Sequence, residues 1–357
     1  MNGAITQFLE RFPYLESLDA SGYSMSLKSI GEKIDELLQT KPSKRGRMDG
    51  VTSLRYFHDY MLNNVGPWSF RPPLRGKSPF LMHALIASST MHLCHIVPDN
   101  TAYKATEAYH WREAISQYSN EISTNVGPHN MDALFSACII MTFNSFALDE
   151  FNPRSSFVFS DRPESLNWLL LQSGLRHLLY MTGPWLSQSI WFDMFMASRG
   201  KDTSFEDHRP GRAGLDPEMA DLCGIDDNTV EETNPYLWPL RMLTHLIPLE
   251  RSLRSFSNYT NFMGRLLPEY YEKLLQKDPP ALIILSWWLA LMNSIPMWWI
   301  ETRVKSECVA ICMFLENSED PLVLKLLEFP AESCGYVLRH VRERGSLVSC
   351  VDVMEED

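Results

Sequence analysis

Residues 78–97 read SPFLMHALIASSTMHLCHIV, and this stretch decides the fold class of the chain. Ser78 is a residue type that caps helices, and Pro79 suits the first helical position, where its missing N–H costs nothing. Apolar side chains then fill most positions up to Pro98, so we expect a helix that is buried on most of its faces. Strand patterns are nearly absent elsewhere in the chain. The sequence therefore predicts an all-α fold, a compact multi-helix domain with an apolar internal pocket.

Helical periodicity continues after this segment. The next two helices are predicted over residues 101–124 and 130–148. Residues 281–300 carry no charge, which is a feature of membrane-spanning helices, but Asn293 and Pro296 interrupt them. We predict two buried helices that meet at a kink, and no membrane span.

Three further helices are predicted near the C-terminus, over residues 261–276, 321–327 and 331–344. For domain organisation, residues 1–50 are predicted to form an N-terminal helical extension with a basic linker. Residues 51–357 are predicted to form one helical domain.

Charge argues against direct nucleic-acid contact. The formal net charge is −12, whereas phosphate binding requires Lys and Arg side chains. One basic cluster exists, beside Pro42 and Gly46, and this setting indicates a solvated linker. The cluster consists of Lys41, Lys44, Arg45 and Arg47.

The cysteine pattern indicates a reducing compartment and no metal site. Seven cysteines are widely scattered, and no Cys-x-x-Cys pair occurs. Cys308 and Cys312 lie one helical turn apart and are interpreted as core thiols. His92 and His95 are interpreted as hydrogen-bonded core histidines. We expect a protein of the cytoplasm or nucleus.

An ordered set of segments resembles the C-terminal regulatory domain of fungal zinc-cluster transcription factors of the sterol-uptake-regulator type. The set covers roughly residues 50–330. It comprises Leu54 with Phe57-His58, Trp68, the run from Ser78 to Leu93, Tyr103 with residues 105–109, Ala114-Ile115, residues 130–138, Trp168 to Gly174, residues 234–243, residues 278–285, and Trp298-Trp299.

This resemblance implies a helical domain, often paired, whose apolar pocket can hold a sterol. A homodimer is therefore among the expected partners. Relatives of this kind read DNA through an N-terminal cluster of six cysteines, but residues 1–50 contain no cysteine. The chain is thus either an excised domain or a complete protein that has lost its DNA reader, and the second is favoured.

Aromatic side chains are the predicted ligand contacts, because an indole ring offers a broad apolar face and one N–H donor. The alternative is that most of these tryptophans only fill the core. The predicted ligand-binding residues are Trp168, Trp191, Trp238, Trp287, Trp288, Trp298, Trp299 and Met141. The candidate catalytic residues, which offer polar groups to a developing charge, are His83, Asn144, Ser173 and His177.

Two functions remain open. The first is a cofactor-independent cyclase or isomerase, with pericyclic closure of Diels–Alder type as one option. It would act on a hydrophobic terpenoid or polyketide intermediate of fungal secondary metabolism, because confinement alone lowers a barrier. The second is a regulator without DNA contact, which senses a sterol-like or terpenoid ligand and acts through a zinc-cluster partner.

Overall fold

The computed structural model describes residues 78–343, except residues 194, 197–204, 206 and 253–254. No β-strand occurs among these described residues, which confirms the all-α prediction. The principal α-helices are α1 Pro79–Ile96, α2 Thr101–Thr124, α3 Met131–Phe146, α4 Asn167–Leu170, α5 Gly174–Thr182, α6 Pro217–Leu222, α7 Leu237–Leu246, α8 Phe256–Arg265, α9 Pro268–Leu275, α10 Pro279–Met292, α11 Trp298–Leu315 and α12 Pro321–Cys334. Short 3₁₀ segments are Pro153–Ser155, Phe157–Phe159, Pro163–Leu166, Leu171–Ser173 and Gly183–Gln188.

The chain divides into two compact units. Unit 1 contains residues up to Ser145 together with Gly174–Arg199, and unit 2 contains Phe146–Ser173 and the chain from Gly200 onward. The predicted extension and linker, residues 1–50, lie outside the described residues. The predicted boundary at residue 50 and the internal pocket stay predictions.

Unit 1 is built on an antiparallel hairpin of α1 and α2. The Asn100 side chain starts α2 by accepting hydrogen bonds from the backbone N–H groups of Ala102 and Tyr103, at 3.0 and 3.3 Å. Helix α3 contributes a fully buried row to the same core, including Leu134 and Phe135. The hairpin matters for the site because its register decides which polar side chains face each other.

Unit 2 is built around α10, whose residues are nearly all buried. Helices α7, α9, α11 and α12 pack against it. The uncharged stretch 281–300 falls in α10 and the start of α11, with a break at residues 293–297, so the prediction of two helices is confirmed. In the part of the chain that is described, no helix has both the length and the apolar character of a membrane span.

The single helix predicted over residues 261–276 is wrong. Helix α8 ends at Arg265, and α9 begins at Pro268. Proline has no N–H to continue the α8 hydrogen-bond ladder, whereas its fixed φ suits a first helical position. Pro268 therefore starts a new helix.

The break predicted between residues 327 and 331 is also wrong, because α12 continues through Pro330. A proline at this position leaves the carbonyl group of Leu326, four residues earlier, without its usual helical donor. The indole N–H of Trp287, on α10, donates to that carbonyl oxygen at 2.7 Å. A side chain from the neighbouring helix thus replaces the missing backbone donor.

We expect Trp287→Phe to lower the free energy of unfolding by about 1–3 kcal/mol, because it leaves the Leu326 carbonyl unsatisfied in the interior. The measurement is urea unfolding. The matched control is the same change in a Pro330→Ala background, where a backbone N–H again reaches Leu326 and the cost should shrink. An equal cost in both backgrounds would contradict this role for Trp287.

Candidate functional site: a buried histidine pair

The candidate site lies between α1 and α2 in unit 1. Helix α2 buries a stripe of side chains, which includes Thr106, His110 and Ala114. His110 is only 5% exposed. His83, a candidate catalytic residue, is partly buried on α1. The hairpin therefore brings two imidazole rings together in a mostly apolar setting.

The two rings contact each other through the same ring atom, Nδ1. Nδ1 of His83 lies 2.8 Å from Nδ1 of His110, and the ring centroids are 4.9 Å apart. Tyr109 presents its ring edge-on to both imidazoles, at 6.2 and 5.0 Å. At 2.8 Å, one Nδ1–H must donate to the other ring's bare Nδ1.

Burial lowers the pKa of both imidazoles, because the charged form loses its hydration. The pKa of His110 falls to about 4, since burial is reinforced by the charge of His83 and opposed only in part by the Glu113 carboxylate. The same carboxylate opposes the lowering of the His83 pKa. His110 is therefore neutral at pH 7.

A neutral pair of this kind has two different outer nitrogens. The ring that donates from Nδ1 has a bare Nε2, and the ring that accepts carries its proton on Nε2. In the arrangement with His83 as donor, its Nε2 is a free base. Nε2 of His110 is buried and has no hydrogen-bond partner among the described residues. The pair can thus accept a proton at one end while the inner hydrogen bond stabilises the resulting charge.

The other catalytic candidates have different surroundings. Asn144, near the end of α3, is partly buried, and its Oδ1 has no hydrogen-bond partner among the described residues. His177 is exposed on α5. Ser173, in unit 2, donates to the carbonyl oxygen of Leu170 at 2.8 Å. Of the four candidates, only His83 is joined to a second titratable ring in a described contact.

Three of the predicted tryptophans converge within unit 2. The fully buried ring of Phe146 meets Trp168, Trp288 and Trp299 edge-on, at centroid distances of 5.2, 6.4 and 5.8 Å. The guanidinium of Arg303 lies over the Trp168 ring at 5.5 Å. These rings pack on one another around Phe146, which is the arrangement of an aromatic core.

The remaining predicted ligand residues are dispersed. In unit 1, Met141 is buried, and the indole N–H of Trp191 donates to Ser136. In unit 2, Trp238 donates to the Arg265 carbonyl oxygen at 3.2 Å and stacks on a histidine. Trp298 is partly buried at the start of α11. Their predicted contact with a ligand stays a prediction.

His110 was missed in the sequence. A usable signal existed, because residues at similar distances from the loop of a helical hairpin lie side by side. His83 and His110 differ in that distance by only about one helical turn. Each is the one histidine near that level of its helix.

Comparisons of this chain with protein-family models, with curated proteins and with solved structures found no match.

We expect stability to fall as the pH drops from about 7 towards 4. The folded state holds the pKa of His110 at about 4, whereas the unfolded chain has a value of about 6.5. The unfolded state thus binds more protons between these values, so the contribution of His110 is lost as the pH falls. The free energy of unfolding, measured in urea, should fall between pH 7 and pH 5 by about 1–2 kcal/mol less in His110→Gln than in the wild type.

The matched control is His129→Gln, which changes an exposed histidine and should keep the wild-type pH dependence. Parallel stability profiles for the wild type and His110→Gln would contradict the buried neutral pair.

Proposed function

We propose that this protein is a cofactor-independent isomerase or cyclase acting on a hydrophobic terpenoid or polyketide intermediate, with the histidine pair as its proton-transferring group. The observation that carries the proposal is the 2.8 Å contact between Nδ1 of His83 and Nδ1 of His110. A base held neutral in a low-polarity setting suits an apolar substrate, because neither partner must shed much water before reaction.

The chemistry balances without a cofactor. Nε2 of His83 removes a proton from a carbon next to a substrate carbonyl, the C–H electron pair becomes a new C=C bond, and the carbonyl π pair moves onto its oxygen to give an enolate. The same imidazolium returns the proton to another carbon, so nothing is oxidised or consumed. His110 is a positioning residue, because its Nδ1 accepts the Nδ1–H of His83 and stabilises the imidazolium.

The surroundings of the pair agree with a hydrophobic substrate. Phe80 and Ala84, next to His83 on α1, and Ala114, one turn beyond His110, belong to the apolar core of unit 1. Glu113 is the nearby charge, and it favours the imidazolium form of both rings. A transient cation is therefore stabilised where it forms.

A second candidate function is a regulator that binds a sterol-like or terpenoid ligand and acts through a zinc-cluster partner. Two buried donors in α4 favour it. Among the described residues, neither the amide nitrogen of Asn167 nor Nε1 of Trp168 has a hydrogen-bond partner. Both residues are at least nine-tenths buried. A ligand hydroxyl or carbonyl oxygen would satisfy such a donor.

The test uses a β,γ-unsaturated steroid ketone, whose conversion to the conjugated ketone is followed by ultraviolet absorbance. We expect the wild type to accelerate this proton transfer and His83→Gln to reduce the rate by about 10²–10⁴-fold. His110→Phe should lower kcat and move the acid-side limit of the pH profile to lower pH, because the imidazolium loses its acceptor. His110→Gln, which keeps an acceptor oxygen, should restore most of the rate.

His129→Gln serves again as the exposed-histidine control and should match the wild type. Turnover of the probe at the rate of buffer, or equal rates for the wild type and His83→Gln, would count against catalysis by this pair. Tight binding of the steroid with no conversion would favour the regulator.

A further inference from the structure

Three buried cysteines meet in unit 2. Cys308 and Cys312 lie one turn apart on the same face of α11, and Cys334 is the last residue of α12. All three are 2% exposed or less, and their Sγ atoms lie within 4.8 Å of one another. The sequence alone indicates core thiols at Cys308 and Cys312 and does not connect Cys334 with them, because only the packing of α11 against α12 joins the three.

The spacing of the sulfur atoms fits one thiophilic metal ion. With a metal–sulfur bond of about 2.3 Å, three thiolates in a plane around an ion lie about 4 Å from one another. The three sulfurs converge from two helices, so each pair must approach by less than about 1 Å to reach that geometry. Thiolate ligands select Cu(I), Zn(II) and similar soft ions.

The backbone around the cluster accepts hydrogen bonds from the thiols. The Cys308 thiol donates to the carbonyl oxygens of Ser286 and Pro330, at 3.8 and 3.5 Å. The Cys334 thiol donates to that of Ala331, at 3.5 Å. Cys334 also lies at the C-terminal end of α12, where the helix dipole is negative. These carbonyl oxygens hold the thiols in their protonated form, so a metal ion must displace the thiol protons to bind.

We propose that Cys308, Cys312 and Cys334 form a binding site for a single Cu(I) ion. Among the described residues, no fourth His, Cys, Asp or Glu belongs to the group. Cu(I) accepts low coordination numbers with thiolates, whereas structural Zn(II) requires four ligands. Each sulfur that binds the ion as a thiolate releases its proton to solvent, and no electron is transferred.

The experiment is an anaerobic titration of the reduced full chain with Cu(I) supplied as its coloured bicinchoninate complex. We expect the wild type to remove one Cu(I) per chain from the chelator. Cys308→Ala and Cys334→Ala should each weaken binding at least tenfold. The matched control is Cys223→Ala, which removes another buried thiol of unit 2 and should bind like the wild type. Circular dichroism checks that each variant is folded.

A second measurement needs no variant. Wild-type protein is alkylated with iodoacetamide during unfolding, with and without one equivalent of Cu(I), and the modified peptides are identified by mass spectrometry. The ion should slow modification of the three cluster thiols and not of Cys223. The proposal is overturned if the wild type removes no Cu(I), if Cys334→Ala binds like the wild type, if other thiols are protected instead, or if Zn(II) binds and Cu(I) does not.

Discussion

Removal of polar groups from water is the constraint on which this structure depends. The helices are so apolar that their occasional polar side chains are carried into the interior, where an unpaired polar group is costly. Several of them meet a partner on another segment. His83 meets His110 across the first hairpin, and Glu307 on α11 accepts from Ser156 and pairs with Arg303. The candidate reactive sites therefore arise where apolar helices bury polar side chains.

The same constraint explains what the tryptophans do. Several use their single N–H to satisfy a backbone carbonyl of a neighbouring helix, as Trp288 does for Tyr259 at 2.9 Å and Trp287 does for Leu326. The rings of Trp168, Trp288 and Trp299 pack around Phe146. Trp168 is different, because its N–H has no partner among the described residues. Of the predicted aromatic ligand contacts, Trp168 is therefore the best supported.

Local signals predicted the helices well where one residue decides the outcome, and poorly where a distant partner does. Pro79 starts α1, and the two helices of residues 281–300 were predicted from Pro296 and its polar neighbours. Pro330 predicts a break in the helix, because nothing local in the sequence reveals that Trp287 donates to the Leu326 carbonyl oxygen. His110 and Cys334 were missed for the same reason. Their meaning comes from a second helix; the loop of the first hairpin gives an approximate register for His110, whereas nothing local gives one for Cys334.

The proposed chemistry requires the two imidazoles to form one neutral, hydrogen-bonded unit. The most direct measurement is long-range ¹H–¹⁵N correlation spectroscopy of histidine-labelled protein at pH 7, assigned with His83→Gln and His110→Gln. We expect two neutral rings, one protonated at Nδ1 and the other at Nε2, with a coupling between the two Nδ1 atoms. Two independent rings that both carry their proton on Nε2, or an imidazolium at either position, would contradict it.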